Sequence, residues 1–267
     1  MAKCTNKCKV CRILNICRST LYNKLKSHKV KTTNYPYEKD IVRAFKNNLS
    51  CYGRRRLQKY LLKRNKKVST YIITKVMKKY DLIAKHGRKR KANNIYTSPL
   101  FETKNLLKTA KKTDKIYSAD MSVFNYKNGK IIVSGIIDIK TKILVGYTYS
   151  TNYKSDFVKQ SFEDAFNKFG VPDIVHTDNG SQYKGYDVHN YIINNGARHS
   201  FSKPSNPHHN QYIESFWKTM KIEIGNTRHM SLEDMKKVID YYIHYYNYVR
   251  LHSAIGYIPP IRLRNRL

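Results

Sequence analysis

Apolar residues along the first hundred positions recur at helical spacing in short runs separated by basic loops. Between Val10 and Lys26, the residues Ile13, Leu14, Leu21, Tyr22 and Leu25 are spaced for two short helices, the second started by Ser19 as N-cap. A further helix is predicted near Glu38 to Asn47. Another follows Gly53 and carries Leu57, Tyr60 and Leu61, and a third begins after Val68-Ser69 and carries Ile72, Ile73, Val76 and Met77. Short helices joined by basic loops predict helix-turn-helix units; a generic helical bundle fits the same spacing.

From residue 86 to 115 the periodicity stops. The stretch opens with His86-Gly87-Arg88-Lys89-Arg90-Lys91 and passes through Asn93, Asn94, Ser98 and Pro99, which reads as a linker. Strand patterns follow. Ile116 to Phe124 and Lys130 to Ile139 flank an Asn125–Gly129 turn, and Ile143 to Tyr149 completes a predicted antiparallel meander. With the hairpin centred on that turn, Ser134 is expected opposite Asp120 and Asp138 opposite Ile116. Ser155 to Phe169 is an amphipathic helix, Ile174-Val175-His176 a short buried strand, Asp187 to Asn194 a helix, and His199 to Phe201 an extended piece. A helix is predicted from Ser205-Asn206-Pro207 to about Ile224, with Ile213, Phe216, Trp217, Met220 and Ile224 inward. The capping box Ser231-x-x-Asp234 starts a last, Tyr-rich helix to about Val249.

Charge adds a partner to this outline. The chain has 267 residues and a formal charge of +34. Residues 1–100 hold 28 basic against 3 acidic side chains, whereas residues 116–267 hold 19 against 13. So concentrated an excess implies a polyanion, because each neutralised phosphate releases condensed counterions; a solubilising surface is the plainer reading. No stretch approaches the roughly 20 apolar residues of a membrane span, and the N-terminus lacks a signal-peptide apolar region, so a cytoplasmic protein is expected. Four of five cysteines, Cys4, Cys8, Cys11 and Cys17, cluster without the paired CxxC spacing of a zinc ribbon, and reduced structural thiols are expected over a zinc site.

Three acids stand where a carboxylate is costly without a task. Asp120 lies inside a strand, Asp178 ends a buried strand, and Glu214 sits beside the apolar stripe of a helix. Two hard cations with oxygen ligands would meet that cost and serve in-line phosphoryl displacement. Taken singly, each acid also fits an N-cap, a turn or a solvated helix face. Asp138 is the obvious rival, but four residues along the strand from Asp120, roughly 13 Å, it is too far to share an ion.

Three blocks in order carry a family resemblance: Tyr117-Ser118-Ala119-Asp120-Met121, then His176-Thr177-Asp178-Asn179-Gly180-Ser181-Gln182-Tyr183, then Asn210-Gln211-Tyr212-Ile213-Glu214-Ser215-Phe216-Trp217, with 35 residues between Asp178 and Glu214. They resemble the integrase-core transposases of bacterial insertion sequences, related to retroviral integrases. Tyr246-Asn247-x-x-Arg250-x-His252-x-x-x-Gly256-Tyr257-x-Pro259 resembles that family's C-terminal signature, and Tyr52-Gly53-Arg54-Arg55 with Val68-Ser69 its helical DNA-binding segment. The chain departs from the pattern at Tyr117, where Trp is common.

The resemblance implies an α/β fold, a ribonuclease-H-like catalytic domain with a mixed sheet flanked by helices, preceded by a small all-α helix-turn-helix region. The expected division is a DNA-binding region over 1–95, a linker over 96–112, a catalytic core over 113–230 and a helical extension over 231–267. It implies metal-dependent cleavage at transposon ends and strand transfer, with Asp120 bridging two Mg²⁺ ions, Asp178 ligating one and Glu214 the other; Mn²⁺ is expected to substitute. Lys218, Lys221, Arg54, Arg55 and Arg56 are the expected DNA contacts, and Asn210 and His176 possible supports of the acids. Trp217 is expected in the core, and His208 and His209 in the first turn of the Glu214 helix. The expected partners are transposon-end and target DNA, further copies of the chain on that DNA, and a separate or frameshift-fused upstream-frame protein. Two alternatives remain at this stage: a catalytically silent DNA-binding regulator of transposition, and a structure-specific nuclease on the same fold.

Overall fold

The structure is a computed structural model that describes Cys17 and residues 34–85, 105–152, 156–202 and 210–264. The helices expected between Val10 and Lys26, most of the linker, the other three clustered cysteines, His208 and His209 lie outside the described residues.

Three helices open the described chain where the apolar spacing puts them: α1 (Glu38–Asn47), α2 (Arg54–Leu62) and α3 (Thr70–Lys79). Ser69 caps α3, its hydroxyl accepting from the Ile72 amide at 3.3 Å. Ile41, Phe45, Tyr52, Leu57, Leu61, Ile73 and Val76 form their shared core, which Leu251 joins from the far end of the chain. The Tyr52 hydroxyl accepts from the Leu251 amide at 2.8 Å, so this unit is tied to the C-terminal segment.

Five strands follow: β1 (Ile116–Tyr126), β2 (Gly129–Asp138), β3 (Leu144–Ser150), β4 (Ile174–Thr177) and β5 (Arg198–Phe201). They form one sheet in the order β3-β2-β1-β4-β5, with the first three antiparallel and β4 and β5 running parallel to β1. Order and directions are those of the ribonuclease-H-like fold. Helix α4 (Asp156–Phe169) connects β3 to β4, and α5 (Ser181–Lys184) with α6 (Tyr186–Asn194) connects β4 to β5. Helices α7 (Gln211–Ile224), α8 (Leu232–Tyr248) and α9 (Pro260–Arg264) close the chain. The capping box at Ser231 is formed as predicted, with its hydroxyl accepting from the Asp234 amide at 3.1 Å. The short helices α5 and α9 are not marked by the periodicity, since four or five residues hold barely one turn.

The sheet is buried on both faces. Tyr117, Ala119, Ile132, Ile136 and Val175 face α4 and α6, while Phe124, Ile131, Val133 and Ile137 face α7 and α8. The first set of β1 residues is odd-numbered and the second even-numbered, so Asp120 projects on the α7 side.

One register expectation is corrected. Tyr126 pairs with Gly129 across a two-residue connection, so Gly135, not Ser134, lies opposite Asp120, and Tyr117, not Ile116, opposite Asp138. The Lys127 amide donates to the Met230 carbonyl at 2.9 Å, holding the tight turn against the segment before α8. A slip of one residue turns every side chain to the other face. Asp138 is therefore on the α4 side, three residues along from Asp120 and across the sheet from it.

Candidate active site

The parallel pairing of β1 with β4 brings two of the three acids together. Ala119 is opposite Thr177 in the last observed pair, so Asp120, in the middle of β1, and Asp178, just past the end of β4, follow as neighbours. Paired positions of adjacent strands project to the same face. The β4 residues are all buried, and the chain leaves the sheet at Asp178, whose Oδ1 accepts from the Gly180 amide at 2.9 Å.

Helix α7 supplies the third acid. Ile213, Phe216, Trp217 and Met220 point into the core, which leaves Glu214, Lys218 and Lys221 on the exposed flank. The helix is anchored by Asn210, which is buried just before it. The Asn210 side chain accepts from the Ser118 hydroxyl and donates to the Ala119 carbonyl at 3.3 Å, and its own carbonyl accepts from the Glu214 amide at 3.2 Å. Asn210 thus joins the first turn of α7 to the β1 residues immediately before Asp120.

The Asp178 charge acts on both of the other acids. Burial and then the Asp178 charge push Asp120 up to about 8, with Glu214 adding to the rise while the Met121 amide and Lys221 oppose it. Asp178 is raised by burial, against the Gly180 amide and Lys184; Glu214 is raised by burial and then by Asp178. Among the described residues, no three carboxylate, histidine or cysteine side chains stand close enough to enclose one ion. The acids nevertheless share a field that protons or cations would relieve, and their oxygens are the donor type that hard divalent ions take.

Asp138 takes no part in this. Its Oδ1 accepts from the Lys140 amide at 2.8 Å and its Oδ2 from the Thr141 hydroxyl at 2.7 Å, which fixes the turn into β3. His176 is fully buried, with Nδ1 at 2.9 Å from the Ser200 hydroxyl and Nε2 at 3.0 Å from that of Ser202, so its ring braces β4 against β5. Trp217 is a core residue, as expected. Arg54, Arg55, Arg56 and Lys218 line one cavity of about 590 Å³ between α2 and α7. Lys221 lies over the Phe124 ring at 5.4 Å, on the side of Asp120.

Lys184 and Glu223 were not read from the sequence. Lys184, at 9% exposure, brings a buried positive charge to Asp178; the periodicity did not show that α5 would turn it inward. Glu223 and Arg250 form a buried bidentate pair, with Nη2 to Oε1 at 2.7 Å and Nε to Oε2 at 2.9 Å. Arg250 lies in the C-terminal signature, as does Asn247, whose amide brackets Leu144 by accepting from its N–H and donating to its carbonyl, each at 3.0 Å. These signature residues hold α8 to the sheet and to α7.

Family models described as integrase core domain match residues 110–207 and 195–260, and so together run through all three acids. The chain belongs to the integrase-core transposases of insertion sequences. Among its relatives, the transposase for insertion sequence element IS904 of Lactococcus lactis is 29% identical over 82% of this chain and 90% of that protein. The probable transposase for IS1353 of Shigella flexneri is 26% identical over 94% of this chain and 51% of that longer protein. Among solved structures, the HTLV-2 integrase catalytic core domain in complex with magnesium is similar at 15% identity, covering 56% of this chain and 95% of that one, with a TM-score of 0.45. In this transposase, no helix among the described residues is long and apolar enough to cross a membrane.

Proposed function

We propose that this transposase cuts DNA at transposon ends and joins the freed end to target DNA, with Asp120, Asp178 and Glu214 as its metal-holding acids. The observation that supports the residue assignment is that the Asp178 charge at the end of β4 reaches both Asp120 of β1 and Glu214 in the first turn of α7, adding to the rise that burial gives each. Two Mg²⁺ ions, for which Mn²⁺ would substitute, would there activate the attacking oxygen and stabilise the leaving one.

The chain's own residues hold the reacting groups. Asp120, on which both other acids act, would hold both ions, with Asp178 and Glu214 each holding one. Asn210 sets the position of Glu214 through the helix start, and Lys221 balances charge on the Asp120 side. In the first step a water oxygen bonds to phosphorus as the phosphodiester bond to the 3′ oxygen breaks, leaving a 3′-OH on the transposon strand. In the second, that 3′ oxygen attacks a target phosphodiester and displaces the target's own 3′ oxygen, so one bond forms for each that breaks. The field of +34 draws both DNA segments in, and action as an oligomer on DNA is part of the proposal. A DNA-binding region over 1–95, a linker over 96–112, a catalytic core over 113–230 and a C-terminal extension over 231–267 are its working division. The silent regulator and the stand-alone nuclease are not favoured by the family.

Asp178→Asn is the direct test. Cleavage and joining in Mg²⁺ should disappear while affinity for DNA stays near that of the unaltered chain; full activity in this variant would sink the assignment.

A further inference from the structure

His189 of α6 and His199 of β5 meet beside the edge of the sheet, their Nδ1 atoms 2.9 Å apart. The other ring nitrogen of His199, Nε2, is 3.1 Å from the Thr177 hydroxyl at the end of β4, and that hydroxyl is 3.0 Å from the Asp178 carbonyl oxygen. These three contacts have one consistent direction. A carbonyl oxygen only accepts, so the Thr177 hydroxyl donates its single proton to Asp178 and accepts from Nε2–H of His199. Burial, and then the His189 and His176 rings, lower His199 to about 3, so at neutral pH its ring is uncharged and carries one N–H. With that proton on Nε2, Nδ1 is bare and accepts from Nδ1–H of His189.

The relay ends on the backbone of the acid that leaves the sheet. Thr177 shares the face of Val175, which packs toward α4 and α6, so the relay reaches Asp178 from the side opposite α7. The Phe201 ring lies against that of His199, with centroids 4.1 Å apart, and limits its swing. On the other flank of Asp178, the Ser202 amide donates to the Thr177 carbonyl at 2.9 Å. The planar peptide before Asp178 is thus held by Ser202 and the one after it by Thr177. With both planes held, the direction of the Asp178 Cα–Cβ bond is set.

We infer that His199 is a positioning residue for Asp178, aiming its carboxylate through Thr177 at the ion it would hold, while His189 keeps the His199 ring in the required tautomer. This rests on the proposed function for the role of Asp178, but its test reads ring protons and ion binding rather than cleavage.

The test uses the full chain, with Mn²⁺ as the probe ion. Nitrogen NMR with isotope-labelled histidine should show His199 protonated at Nε2 and His189 at Nδ1; the opposite tautomer of His199 would overturn the relay. In calorimetric titrations, His199→Leu and Thr177→Val should each weaken Mn²⁺ binding about 10- to 100-fold while DNA affinity is kept. Their combination should cost little beyond either alone, since both break one chain of bonds. His199→Gln and Thr177→Ser keep a donor and a hydroxyl, and should recover most of the loss, which a purely packing role would not. Thermal unfolding reports whether the variants fold; if His199→Leu does not, the two Thr177 variants and the tautomers decide. Unchanged Mn²⁺ affinity in a folded His199→Leu, or no recovery in His199→Gln, would overturn the positioning role. Absence of Mg²⁺-dependent cleavage by the unaltered chain would instead overturn the function and leave the tautomer and Mn²⁺ results standing.

Discussion

Asp120 is the residue whose environment departs furthest from an ordinary surface carboxylate. With a folded-state value of about 8, set by burial and by Asp178, it holds a proton in the folded chain that the unfolded chain releases. The stability this confers is complete below about pH 4 and is lost as pH rises toward about 8. Thermal unfolding without metal across that window should therefore show a decline in the unaltered chain that Asp120→Asn reduces, and Mg²⁺ should reduce it likewise, since a bound cation replaces the proton. Identical pH profiles for the two proteins in the absence of metal would contradict this. At this scale the sequence was informative because a carboxylate inside a strand is rare enough to stand out. Lys184 did not stand out, because a lysine in a polar loop is ordinary until α5 folds it under Asp178.

Among the elements, the seam between β1 and α7 sets the geometry. Asn210→Ala removes the side-chain bonds to Ser118 and Ala119 that fix the start of α7, and should lower cleavage about 10- to 100-fold with DNA affinity kept, measured as turnover against binding. Gly135 lies opposite Asp120, and a Cβ there would meet the Trp217 ring at 2.7 Å. Gly135→Ala should cost about 1–3 kcal/mol in urea unfolding by pushing α7 outward, and should slow cleavage as Glu214 moves with it. The strands and long helices were legible because their burial follows the periods of two and 3.6. The register of the hairpin was not, since it depends on a two-residue connection held by the Met230 carbonyl, a contact made a hundred residues away. That same contact decides the face on which Asp138 lies.

Across the whole molecule, the buried Glu223–Arg250 pair joins α7 to the segment after α8, next to the Tyr52–Leu251 link that carries the helical unit. Arg250→Met leaves Glu223 buried without its partner and should cost about 3–5 kcal/mol in urea unfolding, much of it regained when Glu223→Leu is added. The division into a basic helical part and a mixed-sheet part could be read from charge and periodicity. Their connection through Leu251 and Arg250 could not, because Leu251 is not marked at all and Arg250 only within the family signature. One metal-dependent centre made of the three acids is proposed both to cut and to join DNA. Its most direct measurement is the joining of a labelled transposon-end duplex to a supercoiled plasmid, with and without Mg²⁺, by the unaltered chain and by Glu214→Gln. Joined product should require Mg²⁺ and vanish in the variant; nicking without joining, or joining that survives Glu214→Gln, would rule out the shared centre.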